Sequence, residues 1–113
     1  MKISEVERKE AKSKLFEGQT ERQAFVDEEM SKLLRVNLIH FHPGAKNVFH
    51  THSADQVLVV TEGRGIIASE TEEITVDPGT VIFIPAGERH WHGATPQDSF
   101  SHFSIVPPGE TKY

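Results

Sequence analysis

Residues Gly44–Gly63 read GAKNVFHTHSADQVLVVTEG, and the reading of this stretch decides the rest. It holds His50 and His52 in a His-x-His pair, with Gln56 four residues later. In a β-strand, residues i and i+2 point to one face. Both imidazoles therefore reach toward one point in space. Pro43-Gly44 and Gly63 bound the segment as turn residues. Val57-Leu58-Val59-Val60 is a β-branched run that reads as a buried strand. Two imidazoles and an amide oxygen aimed inward make a metal site, which a third imidazole should complete from elsewhere.

Outward from this stretch the pattern stays β. Lys32–Phe41 is rich in apolar residues and ends at Pro43-Gly44. Asn47–His52, Gln56–Thr61, Gly65–Ser69, Glu73–Val76, Thr80–Ile84, His90–Ala94 and Phe100–Val106 follow as strands. Gly63-Arg64-Gly65 reads as a tight hairpin turn, and Pro107-Pro108-Gly109 as the stop. Many short strands with Gly or Pro turns predict an all-β sandwich or barrel. Residues 1–31 read as an N-terminal arm with edge strands, and residues 32–113 as the barrel core of a single domain. Within the arm, Ser4 and Glu7 fit a capping box, and Glu5 and Lys9 are an i,i+4 pair. These point to a short helix, with a solvated arm as the alternative.

At 113 residues the chain supports one core. A net charge of −5 argues against nucleic acid or an anionic membrane as the partner. The absence of cysteine excludes disulfides and thiolate ligands, so a metal must be held by N and O donors. No apolar run approaches the ~20 residues of a membrane span. MKISEVERKEAK lacks the apolar core of a signal peptide, so the expected compartment is the cytoplasm. A small barrel exposes sheet edges, so a homodimer is expected, with the strands around Phe16 and Phe25 as candidate contacts.

All seven histidines lie between residues 40 and 102. Strand parity puts His90 and His92 on one face and Trp91 on the other. His102 shares a face with Phe100 and Ser104. If Ile39 and Phe41 face inward, His40 and His42 turn outward. Asn37, Ile39, Phe41, Leu58, Val60 and Val106 are then the expected pocket walls.

Gly44, His50, His52, Gln56 and Gly63 lie at fixed offsets, and so do Gly79, Pro85, Gly87 and His90. The two sets resemble the signature motifs of the cupin superfamily, G-x5-H-x-H-x3–4-E-x6-G and G-x5-P-x-G-x2-H-x3-N. Two positions depart: Gln56 stands for the usual Glu, and Ala94 for the usual Asn. With the run His90-Trp91-His92-Gly93-Ala94, the likeness narrows. It is to small cupins associated with carboxymuconolactone decarboxylases, including manganese-dependent hydroxynitrile lyases of that fold. That resemblance implies a double-stranded β-helix, or jelly-roll barrel. It implies a metal held by His50, His52, Gln56 and His90, with His92 and His102 lining the cavity near substrate.

Elementary coordination chemistry agrees. Three neutral imidazoles and an amide oxygen suit one first-row divalent ion, Mn2+ or Fe2+ first, with Ni2+ and Zn2+ also compatible. Replacing the carboxylate by Gln56 leaves the ion its full 2+ charge and removes a local base. Proton transfer then falls to His92 or His102. The expected function is metal-dependent oxygenation, or Lewis-acid lyase or isomerase chemistry, on a small organic molecule. The alternative is a non-catalytic metal- and ligand-binding module.

Overall fold

A computed structural model describes residues 1–113. It contains only strands, joined by turns, in two antiparallel sheets and one small ribbon. In chain order these are β1 (Lys9–Glu10), β2 (Phe16–Glu17), β3 (Thr20–Val26), β4 (Arg35–Phe41), β5 (Lys46–Asn47), β6 (Thr51–His52) and β7 (Gln56–Gly63). Then come β8 (Gly65–Ser69), β9 (Glu73–Val76), β10 (Val81–Ile84), β11 (His90–Ala94), β12 (Phe100–Val106) and β13 (Thr111–Lys112). One sheet runs β1-β3-β4-β12-β7-β10, the other β2-β5-β11-β8-β9. The expected all-β double-sheet barrel is therefore the observed fold. No helix is long and apolar enough to cross a membrane.

The core fills the space between the sheets. Ile39, Phe41, Val60 and Phe100 from the first meet Ala45, Val76 and Ala94 on the other side. Phe41 and Phe100 are fully buried and stack at 6.1 Å between centroids. Burying one such ring contributes on the order of 1.5–3 kcal/mol. This apolar cluster packs directly on two histidines: Phe41 lies 6.0 Å from His92 and 5.8 Å from His102 between centroids, and Phe100 5.5 Å from His102. Phe41, expected in the pocket wall, lies in this cluster with Val60, whereas Asn37, Ile39 and Val106 do line the cavity. Leu58 is fully buried but does not line the cavity either.

The short N-terminal helix does not form. Residues 1–8 lie outside any regular element, and the Gln23 side chain holds them against β3, accepting from the Glu7 N–H and donating to the Glu5 carbonyl at 2.8 Å. A helix this short is marginal alone, and the sheet offers the backbone competing partners. Leu33 and Leu34 fall outside β4, in a turn whose N–H groups donate to Ser31 Oγ. The Pro107-Pro108 stop ends β12, yet the chain returns as β13 to pair with β6.

Gly63–Gly65 is a sheet-to-sheet corner rather than a hairpin within one sheet, since β7 and β8 lie in different sheets. Gly63 has φ of 72°, and a Cβ there would collide with the Ser99 carbonyl. A Cβ on Gly65 would enter the Phe100 ring. Only glycine permits so close a corner.

Candidate metal centre

Three imidazoles converge because of two local pairings. His50 and His52 lie two apart at the start of the first motif. His50 and His90 form an isolated antiparallel bridge, exchanging N–H···O bonds of 2.9 and 3.0 Å. Residues paired this way present side chains on one face. The ring centroids stand 4.8 Å (His50–His52), 4.3 Å (His50–His90) and 5.5 Å (His52–His90) apart. One nitrogen from each lies within 4.8 Å of the other two. This triad could hold a metal ion.

The far nitrogens are all tied back. His50 Nδ1 meets the Val48 carbonyl at 2.7 Å, and His90 Nδ1 the Glu88 carbonyl at 2.8 Å. A carbonyl only accepts, so both Nδ1 atoms carry hydrogen and both Nε2 atoms carry lone pairs. His52 Nδ1 bonds Thr111 Oγ1 at 2.9 Å. His52 Nε2 and His90 Nε2 are buried with no partner. Gln56 adds a fourth donor of the same kind. Its Nε2 donates to Ser104 Oγ at 2.8 Å, and its buried Oε1 has no partner. Buried polar atoms without partners are costly and rare. The three imidazoles around one point, each with its other end anchored, fit a divalent ion, and Gln56 Oε1 in the same barrel is a further O donor.

Burial sets the protonation state. Desolvation lowers the pKa of His50 to about 4 and also depresses those of His52 and His90. Neutral imidazoles, the ligating form, therefore prevail at neutral pH.

His92 and His102 lie beyond the triad, sealed in the same barrel. His102 Nε2 is 3.0 Å from His92 Nδ1. Asn47, on β5, was not singled out from sequence, yet it orients this pair. Its Oδ1 accepts from the His92 backbone N–H at 2.8 Å, which fixes its Nδ2 against the His92 ring, 3.3 Å from Nδ1 and 3.2 Å from Nε2. The contact between His92 Nδ1 and His102 Nε2 holds one hydrogen between two ring nitrogens. Burial lowers both pKa values, that of His102 to about 4. His50, His52, Gln56, His92 and His102 line one cavity of about 930 Å³.

His40 and His42 turn away from this cavity, as parity predicts. With Glu21 they form a second cluster on the outer face. Arg8 already lies 3.4 Å from the Glu21 carboxylate, and His40 bonds Ser101. Trp91 faces away too, under the Lys46 ammonium at 4.6 Å. Arg64 and Arg89 make exposed ion pairs with Asp77 and Glu70.

A family model described as Cupin domain matches residues 37–110. Among curated proteins, the (R)-mandelonitrile lyase of Granulicella tundricola is 40% identical over 68 residues, covering 59% of this chain and 52% of that enzyme. An acireductone dioxygenase of a Synechococcus species is 44% identical over 46 residues, covering 37% of this chain and 26% of that enzyme. The chain thus spans about half or less of the length of these relatives. Among solved structures, a cupin-like protein from Thermotoga maritima aligns with a TM-score of 0.90 at 29% identity, covering 98% of this chain and 88% of that one.

Proposed function

The chain belongs to the cupin family, and from that premise we propose that it is a mononuclear metalloenzyme acting on a small organic molecule. In this reading His50, His52, Gln56 and His90 hold one divalent ion, while His102 and His92 handle a proton. The observation that carries it is that His52 Nε2, His90 Nε2 and Gln56 Oε1 are buried without partners, each on a side chain anchored at its other end. Mn2+ or Fe2+ is the ion proposed, and Ni2+ or Zn2+ fits the same donors. Bound by neutral donors, such an ion supplies Lewis acidity toward a substrate oxygen.

The protein's own groups do the rest. Asn47 holds the His92 ring beside His102, and the two rings meet at 3.0 Å through one hydrogen. Burial keeps both rings neutral, so the pair has one outer N–H and one outer lone pair left over. When a substrate hydroxyl loses its proton, that lone pair takes it. No carboxylate bonds either ring, so the proton passes readily to the leaving group or product. The Phe41–Phe100 pair packs on both rings and excludes water from that side.

Lyase chemistry on a carbonyl or cyanohydrin is the favoured reaction, supported by the mandelonitrile lyase match. Dioxygenation is the second reading, supported by the acireductone dioxygenase match. Elemental analysis of protein purified without added metal tests the centre, with His50→Ala as control. One metal per chain in the wild type, and almost none in the variant, is expected. Cyanohydrin formation with Mn2+ and oxygen uptake with Fe2+ then separate the reactions. Metal content equal in wild type and variant sinks the proposal.

A further inference from the structure

One row of the six-stranded sheet carries charge into the cavity. Lys9 pairs with Arg22, Arg22 with Ile39, and Ile39 with His102. Residues directly opposite on neighbouring strands present the same face. Lys9 and Arg22 therefore stand on the face of the sheet that bears His102, and all three line the cavity. Adjacent strands are about 4.8 Å apart, so the Arg22 and His102 backbones are separated by about 10 Å.

The Arg22 and Lys9 side chains are both exposed, and no carboxylate oxygen lies within 4.0 Å of either. Arg35, which lines the same cavity, also has no carboxylate partner, but its guanidinium is turned onto the Ser31 and Leu34 carbonyls. Arg22 instead donates from Nε and Nη2 to the neutral Asn37 Oδ1, at 3.2 and 3.0 Å. A guanidinium has five N–H donors, so this fixes its position and leaves three unused. Like charges directly opposite on paired strands are destabilising, and here two are held at the mouth of one cavity. The cavity's acids do not answer them. Glu10 pairs with Lys12 at 3.8 Å, Asp27 Oδ1 accepts from the Glu29 and Met30 N–H groups, and Glu28 and Glu110 have no cation within 4.0 Å.

We propose that the substrate carries an anionic group, a carboxylate, set apart from the oxygen that meets the metal. Arg22, located by Asn37 and backed by Lys9, anchors it. This rests on the metal-centre reading above. It adds a direction: the substrate lies along the Arg22–Ile39–His102 row, its charged end toward the mouth.

The test uses the full chain loaded with Mn2+. Calorimetry compares glycolate, 3-hydroxypropionate and 4-hydroxybutyrate with their amides. At least one acid is expected to bind about tenfold or more tightly than its amide, as a charge-assisted bidentate contact allows. Arg22→Gln should abolish that preference with metal content unchanged, and Arg22→Lys should keep part of it. Equal binding of acids and amides overturns the anchor. So does failure of every acid to bind, or full preference in Arg22→Gln. If the wild type takes up no metal, the metal-centre reading falls instead, and the same titration of the metal-free chain still decides the anchor.

Discussion

His102 Nε2 sits 3.0 Å from His92 Nδ1, with both rings sealed from solvent, and the Asn47 amide stands against the His92 ring, its Nδ2 3.3 Å from Nδ1 and 3.2 Å from Nε2. Asn47→Asp replaces that donor with a charged acceptor, which draws a proton onto His92. Metal content should stay at the wild-type level, since neither ring is among the ligands, while turnover falls by part of the roughly 10²–10⁴-fold that a positioned acid–base group contributes. The pH–rate profile should move as well. An unchanged profile would show Asn47 to be only a packing residue.

Ser104→Ala removes the acceptor that orients Gln56. A buried amide N–H left without a partner costs about 1–3 kcal/mol. Chemical denaturation should read that loss in the metal-free protein. Metal affinity should fall too, since the amide becomes free to turn its oxygen away.

Acid should unfold the metal-free protein through its histidines. Desolvation depresses His50 and His102 to about 4, and lowers His52, His90 and His92. Between an unfolded pKa near 6.5 and these folded values, the unfolded chain binds more protons. Stability is therefore intact above about pH 6.5 and is lost as pH falls toward 4. Each fully shifted histidine contributes up to about 1.4 kcal/mol per pH unit in that window. Urea midpoints at pH 7, 6 and 5 should fall in that order, and a saturating metal should oppose the fall.

Gly93 follows His92 on β11, and a Cβ there would strike the Lys46 backbone and lie 2.6 Å from the Ala45 carbonyl oxygen. Gly93→Ala should push β5 away, carrying Asn47 off His92. Overpacking of this kind costs about 1–3 kcal/mol. A lower melting temperature together with a loss of activity beyond the loss of folded protein is the expected result.

We propose a homodimer, with its contact at the free edges rather than at Phe16 and Phe25. Those two rings pack within the chain, on Phe41 and Phe103. The exposed apolar side chains Ile74, Val81 and Phe83 lie on β9 and β10, the last strands of their sheets. Light scattering should give twice the chain mass for the wild type and the single mass for Phe83→Glu. A monomeric wild type refutes this.

The strand pattern and the spacing of His50, His52, Gln56 and His90 were legible in the sequence, because a two-residue period assigns side chains to faces without knowing the partners. The same parity placed His40, His42 and Trp91 outside. Strand periodicity is a local property, so any choice that turns on face alone can be read from the chain. Only the tertiary structure decided what depends on pairing between distant strands. The His50–His90 bridge, the Asn47 bonds to His92, the Ser104 acceptor for Gln56 and the Arg22 row to His102 all join residues far apart in sequence. The N-terminal helix failed for the same reason: its local capping signals were real, but the edge of a sheet built largely from later residues offered the backbone better partners.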